Sequence, residues 1–244
     1  IIKGEVFKKK FKVSINDNLR EINFKLLKSG INVVFNFDKN QKNEILSGKI
    51  KVKMLNSKLI FNFEYNKKNF KISNAYFRNK NFSFKSESIG SHKPFFNIAS
   101  NINVDNLNLK ILRNYNLNKI LDSKEIIKKI NSKNILNYKS KKFSRDFITD
   151  IDFVIDLAYG RLSYSYDFMA ADSFFNCYGE SNLLKDYPIL YFNCSINSKD
   201  KKNLLKKFSI KNKFKNEPFI LKTSGHLSLL KNKITFSEIN INKK

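Results

Sequence analysis

The sequence predicts a mainly β protein, built as an antiparallel meander with one short helical insertion. Apolar and polar residues alternate with a period of two over most of the chain, as in Ile31 to Phe37. Short polar segments such as Lys28 to Gly30 and Asn66 to Asn69 separate these runs and have the composition of turns. Connections this short join antiparallel neighbours, because parallel strands need a longer crossover.

Residues 1–111 are predicted to form the first part of the meander. Each alternating run places an apolar side and a Lys- or Asn-rich side on opposite faces of a sheet. In chain order, the apolar positions of these runs include Val13, Phe24, Val33, Phe35, Phe37, Ile50, Val52, Phe61, Phe63, Phe70, Phe82, Phe84, Phe96 and Ile98.

The period changes in residues 112–145, which we interpret as a helical insertion. Ser123 is a suitable N-cap, and Glu125 follows it near the positive end of the helix dipole. One or two short amphipathic helices are expected here, packed across the sheet or over one of its ends. The apolar residues with helical spacing are Leu117, Ile120, Leu121, Ile126, Ile127 and Ile130.

Residues 146–244 are predicted to resume the meander and to continue the same sheet. Alternation returns in Phe147 to Leu157 and in Leu162 to Phe168, and it extends to Ile241. The segment from Asp200 to Lys207 is compatible with a short helical turn.

Two cysteines fall on neighbouring predicted strands. If the hairpin between them is centred on Lys185 and Asp186, Cys177 lies directly opposite Cys194 on an apolar face. The same register pairs Phe175 with Ile196 and Gly179 with Phe192. A cross-strand disulfide can then form in an oxidising compartment, and two buried free thiols are the alternative.

The chain is strongly basic, with 47 Lys and Arg against 21 Asp and Glu, which gives a net charge of +26. Nearly all of this charge is Lys, and Asn, Ile and Phe are also abundant, as A/T-rich coding sequences favour. Such a surface is attracted to anionic membranes and polyanions whatever its origin.

The sequence offers no constellation of nucleophile, base and orienting group, so we expect no enzyme, no metal and no cofactor. Only 2 His and 2 Cys are present, and phosphate-binding and Ser-hydrolase motifs are absent. Asp146, Asp150, Asp152 and Asp156 form an acidic cluster. We interpret it as a solvated strand face balanced by lysines, because no Gly-bearing calcium loop follows it.

The amount of apolar face is the most informative feature for function. A meander with Phe on nearly every strand cannot leave that face in water, since large exposed apolar patches are rare. Three outcomes are open from the pattern alone: the sheet closes into a barrel or sandwich, it packs on another segment, or it curls into a groove that holds acyl chains.

Three stretches have the order short strand, turn and second strand, and two of them begin with Ser-Gly: Ser47 to Phe63, Lys71 to Ser86 and Ser224 to Phe236. A fourth, Pro94 to Leu109, precedes the predicted helical insertion. In these stretches the sequence resembles the AsmA-like superfamily of bacterial envelope proteins, which includes the TamB-type proteins.

The resemblance implies an elongated, twisted β-sheet bent into a groove or half-pipe. It implies a periplasmic protein, anchored to the inner membrane by a segment outside this chain, that binds or transfers phospholipid or supports outer-membrane biogenesis. Alternation assigns the lining of such a groove to Phe35, Phe37, Phe61, Phe63, Phe82, Phe84, Phe96, Ile98, Phe153, Ile155, Tyr164, Tyr166 and Phe192.

The expected partners are phospholipid acyl chains, an anionic membrane surface and other envelope proteins. Two alternatives stay open: a β-scaffold that assembles proteins through its sheet edges without binding lipid, and a basic nucleic-acid-binding β protein. The second is disfavoured because alternation puts Phe and Lys on opposite faces, which separates stacking rings from phosphate-binding charges.

Overall fold

The structure, a computed structural model, describes residues 1–6, 9–16, 19–39, 44–108, 121, 124–140, 147–210 and 215–242. The chain divides into two compact units, unit 1 from Ile1 to Ile111 and unit 2 from Leu112 to Lys244. Strands account for 69% of the chain. The predicted mainly β, antiparallel meander is therefore confirmed.

Unit 1 contains strands β1 to β9, each hydrogen-bonded to the strand that follows it in the chain. In the part of the chain that is described, β1 pairs only with β2, so this sheet has an open edge. The strands are β1 Ile2–Val6, β2 Lys9–Ile15, β3 Glu21–Leu26, β4 Ile31–Phe37, β5 Leu46–Met54, β6 Ser57–Tyr65, β7 Asn69–Arg78, β8 Phe82–Ser91 and β9 Phe96–Leu107.

The strand register of unit 1 brings the alternating apolar residues of successive strands onto one face. Paired residues share a face, and Phe35, Ile50 and Phe61 form one such row across three strands. The row next to it on the other face is Val34, Lys51 and Ile60. The sequence pattern thus produces one face of Ile, Val, Leu and Phe, and a second face that carries the Lys and Asn residues together with a few apolar ones such as Val34 and Ile60.

Unit 2 contains strands β10 to β16, again paired in chain order. Among the described residues β16 pairs only with β15, so the sheet edge at β16 is also open. The elements are α1 Lys124–Ile127, β10 Ile130–Lys139, β11 Ile148–Ala158, β12 Arg161–Ala170, β13 Ser173–Asn182, β14 Ile189–Ser198, α2 Lys201–Lys207, β15 Phe219–Ser228 and β16 Lys233–Ile241.

The two short helices of unit 2 cover the two ends of its apolar face. Leu204 of α2 is 2% exposed and packs against Phe175 and Phe219 at one end. Ile127 of α1 forms a second buried cluster with Leu183 and Leu229 at the other end. The rows between these clusters receive no helix from the described residues.

Helix α2 follows the sequence expectation for Asp200 to Lys207. Asp200 is its N-cap, and the backbone N–H of Asn203 donates to Asp200 Oδ1 at 2.9 Å. Lys206 and Lys207 occupy the last turn, where cations favour the negative end of the helix dipole. The cap and the burial of Leu204 together hold a helix that would be too short to persist alone.

The predicted helical insertion is mostly not helical where it is described. Helix α1 is a single turn, and Ile130, assigned to a helix by its spacing, begins strand β10. Pairing with β11 places Leu136 opposite Phe153 and Lys133 opposite Asp156. Asn, Ser and Tyr have weak helix propensity, so strand pairing overrides the helical spacing. Leu117, Ile120 and Ser123 lie outside the described residues.

Candidate apolar binding face

Among the residues that the structure describes, the apolar face of unit 1 is a layer of side chains without a second layer above it. Ala75 and Val104 are the only hydrophobic residues of the described part of unit 1 that are fully buried. Phe35, Phe61 and Phe84 are half-buried, and no helix is present among the described residues of this unit. No described helix of unit 1 therefore covers this face.

Aromatic rings cover much of this face in contacting pairs. The ring centroids of Phe77 and Phe84 are 5.3 Å apart and those of Phe82 and Phe84 are 5.5 Å apart. Phe11 and Phe24 stack at 5.6 Å. Such pairs contribute about 0.5–1.5 kcal/mol each beyond simple burial, so they hold the rings in place without a covering layer.

Glycines in middle strands let rings from the two flanking strands meet above them. Gly48 of β5 lies between Phe37 of β4 and Phe63 of β6. Those two rings meet edge to face with centroids 6.0 Å apart. A Cβ on Gly48 would lie 3.0 Å from the Cα of Phe37 and still closer to the carbonyl oxygen of Asn36. We call this arrangement a ring bridge.

The ring bridge occurs once more in unit 1 and once in unit 2. Phe70 and Phe96 stack at 5.8 Å across strand β8, which carries Gly90 at that level. In unit 2 the rings of Phe192 and Phe236 meet at 5.9 Å, on either side of Gly225. A Cβ at Gly90 or at Gly225 would collide with the ring of Phe70 or of Phe192, so a glycine is needed beneath these rings.

The middle of the unit 2 apolar face carries two phenols and a disulfide. Tyr164 and Tyr166 stack at 6.0 Å, and the hydroxyl of Tyr164 donates to the carbonyl oxygen of Tyr191 at 3.4 Å. Burial, and secondarily the neighbouring Tyr166, raises the pKa of Tyr164 to about 12. Burial also raises the pKa of Tyr166. Both phenols are therefore neutral hydrogen-bond donors in an apolar setting.

Cys177 and Cys194 are directly opposed on β13 and β14 and form a disulfide bond. The structure also pairs Phe175 with Ile196, as the sequence register does. The pairs on either side, Tyr178 with Asn193 and Ser181 with Leu190, keep the same register, which places Gly179 opposite Phe192 as predicted. A Cβ added to Gly179 would collide with the carbonyl oxygen of Tyr191.

The register places all of the predicted lining residues on the apolar faces of their units. Phe153 and Tyr166 are opposed, as are Ile155 and Tyr164. Phe84 faces Val104, and Ile98 faces Gly90. Sequence reasoning did not identify the ring bridges or the small residues beneath them. The signal was a glycine inside an alternating run, which marks a close approach of neighbouring chains.

The acidic cluster lies on the polar face of unit 2 and meets lysines there. Asp156 faces Lys133, and Asp150 faces Lys139, while Asp152 faces Asp167. Asp146 lies outside the described residues. In the part of the chain that is described, no three His, Cys, Asp or Glu side chains come together as metal ligands. The pairing fits the interpretation of these carboxylates as a solvated face.

Neither described helix has the length and apolar content needed to cross a bilayer. No family model, no curated protein and no solved structure matches this chain. The resemblance to the AsmA-like superfamily stays a prediction that depends on the motifs quoted above.

Proposed function

We propose that this chain is a non-enzymatic lipid-handling protein that holds phospholipid acyl chains on the apolar faces of its open sheets. The observation that supports this is the uncovered apolar face of unit 1, where only Ala75 and Val104 are fully buried among the described hydrophobic residues. An acyl chain would remove these side chains from water, and each buried CH₂ contributes about 0.8 kcal/mol.

The mechanism is passive. The alkyl chain lies along the half-buried rings of Phe35, Phe61 and Phe84, in contact with side chains that carry no polar atoms. The resemblance to AsmA-like proteins points to phospholipid as the source of that chain and to the bacterial envelope as its location. Binding needs no chemistry from the protein, so the lipid can leave as it entered.

The test compares two variants that alter the same three strands on opposite faces. Phe35 and Phe61 flank Ile50 on the apolar face, and Val34 and Ile60 flank Lys51 on the other face. The double variant F35Q/F61Q is expected to retain roughly tenfold less phospholipid than the wild type. Without the two rings, the bound acyl chain loses the burial of about two CH₂ groups. V34Q/I60Q is the matched control and should retain lipid normally.

Retention is measured by native mass spectrometry and by lipid extraction of the purified chain, with circular dichroism to confirm that both variants are folded. Absence of phospholipid from the wild type, or equal retention by the two variants, contradicts the proposal.

An assembly scaffold is the second candidate, supported by the last strand of unit 2. Ile234, Phe236, Ile239 and Ile241 on β16 are 54–56% exposed, and β16 pairs only with β15 among the described residues. An open edge with an apolar face can take another strand by β-augmentation. A pull-down that retains partner proteins and no lipid would favour this function over lipid binding.

A further inference from the structure

A row of cations crosses unit 1 on its polar face. Direct pairing aligns Lys3 with Lys12, Lys12 with Lys25, Lys53 with Lys58, and Lys58 with Arg78. Asn32 of β4 links Lys25 to Lys53. We call these six cations the basic row; it runs from β1 to β7, about 29 Å at the usual strand spacing.

The basic row is not neutralised by the described carboxylates. None of its members is in an ion pair in the described part of the chain, and only Lys12 is half-buried while the other five are exposed. Like charges directly opposite one another destabilise a sheet. In unit 2, by contrast, strand lysines lie opposite carboxylates: Lys133 faces Asp156 and Lys139 faces Asp150.

Exposed leucines lie at the end of the sheet where the basic row runs. Leu55, at the turn between β5 and β6, is 73% exposed, and Leu27, at the turn between β3 and β4, is 45% exposed. The two turns touch, because the backbone N–H of Leu55 donates to the carbonyl oxygen of Gly30 at 3.4 Å. They form one apolar tip beside Lys53 and Lys25.

The backbone of Leu55 is unfavourable for its side chain. Its φ is 50°, in the left-handed region that Gly and Asn adopt at hairpin turns and that a bulky side chain avoids. The left-handed backbone of Leu55 lowers the stability of the fold, and the exposure of its large apolar side chain to water lowers it further. Such an outlier points to a functional role for the side chain.

We propose that this end of unit 1 docks on an anionic lipid surface. The basic row contacts the phosphate groups, and Leu27 and Leu55 enter the boundary between headgroups and acyl chains. The inference rests on the proposed function only for choosing a lipid surface as the source of the anions. A nucleic acid fits less well, because Tyr76 is the one aromatic residue of the described unit 1 strands on the face of the basic row, and the Phe rings lie on the opposite face.

The experiment measures co-sedimentation of the full chain with phosphatidylcholine vesicles, with and without phosphatidylglycerol. Wild type is expected to bind only the anionic vesicles, and less so as salt rises. K25Q/K53Q/K58Q should bind about 100-fold more weakly, at roughly fivefold per lysine. The control K202Q/K206Q/K231Q removes the same charge from exposed sites in unit 2 and should bind nearly as wild type.

A second variant separates lipid from nucleic acid. Leu55→Asn relieves the backbone strain, so it should keep or raise the melting temperature while weakening vesicle binding about tenfold. Its binding to a single-stranded oligonucleotide should not change. Equal losses in the two lysine variants, no loss with L55N, or tighter binding of the oligonucleotide than of the anionic vesicles would each overturn the proposal.

Lipid extraction keeps this inference distinct from the proposed function. K25Q/K53Q/K58Q leaves the apolar face intact and should still carry phospholipid when purified. A wild type that binds anionic vesicles but carries no phospholipid would reject acyl-chain binding and leave the docking surface standing. A wild type that carries phospholipid but ignores anionic vesicles would do the reverse.

Discussion

Substituting the glycine beneath a ring bridge should destabilise the sheet far more than substituting a glycine that faces a single ring. In Gly48→Ala, the three atoms nearest to the new Cβ are all backbone: the carbonyl of Asn36, with its carbon at 3.0 Å and its oxygen closer, and the Cα of Phe37 at 3.0 Å. Cβ atoms essentially never approach other atoms more closely than this, so β4 and β5 must separate locally.

The expected loss follows from two effects. Overpacking in a tight site costs about 1–3 kcal/mol, and separating the contacting rings of Phe37 and Phe63 removes about 0.5–1.5 kcal/mol. We therefore expect Gly48→Ala to lower the free energy of unfolding by about 3 kcal/mol. Gly4→Ala is the control in the same unit, because the three atoms nearest to its Cβ all belong to the movable ring of Phe11, the first at 2.6 Å.

Urea unfolding monitored by circular dichroism measures both variants, and Gly4→Ala should stay within about 0.5 kcal/mol of the wild type, as for most surface substitutions. Adding Phe63→Leu to Gly48→Ala should not restore stability, since the collision is with backbone. Equal stability of the two glycine variants, or rescue by Phe63→Leu, would refute the ring-bridge reasoning.

Three further predictions concern unit 2. C177A/C194A removes a bond that closes a loop of 17 residues; the free energy of unfolding should fall by about 3 kcal/mol, and reductant should destabilise the wild type but not this variant. The raised pKa of Tyr164, about 12 in the folded state, means that the folded chain holds the phenol proton more tightly than the unfolded chain. The stability that this phenol contributes below pH 10 should therefore be lost as pH rises towards 12, by on the order of 1 kcal/mol after solvent screening. Y164F should remove that loss. Unchanged urea midpoints of the wild type across this pH range would contradict the prediction. Asp200→Ala leaves the backbone N–H of Asn203 without its 2.9 Å acceptor; this should destabilise α2 by about 1 kcal/mol, whereas Asp200→Ser should retain most of the stability, with urea unfolding as the measurement.

The sequence was sufficient to predict the strands and their faces, because period two is a local signal. Val34 and Phe35 are adjacent in the chain, and alternation alone puts them on opposite faces. The pairing of Cys177 with Cys194 also followed from a short hairpin, whose turn fixes the register. Strand β10 could not be predicted in this way, since the spacing of Ile126, Ile127 and Ile130 satisfies a helix and only pairing with β11 decides the outcome.

Features that require the register of several strands were beyond the sequence. The ring bridge at Gly48 needs β4, β5 and β6 to align at one level. The basic row needs the same of seven successive strands, and a slip of one residue at any hairpin would move part of it to the apolar face. The positive φ of Leu55 depends on the two-residue turn between β5 and β6, which alternation does not specify.

The two sheet faces of unit 1 impose an orientation on any phospholipid bound there. Acyl chains gain contact only on the apolar face, whereas phosphate gains contact only with the lysines, and the sheet itself separates the two. A bound lipid can therefore place its acyl chain on the apolar face and its phosphate near the lysines only where it passes around an edge or an end of the sheet. At the turns that carry Leu27 and Leu55, Lys25 and Lys53 lie on one face and Leu26 and Met54 on the other. If unit 1 binds phospholipid and docks as proposed, the lipid should enter and leave at the docking end. F35Q/F61Q and K25Q/K53Q/K58Q should then each slow uptake from anionic vesicles, while only the first should lower the amount finally held.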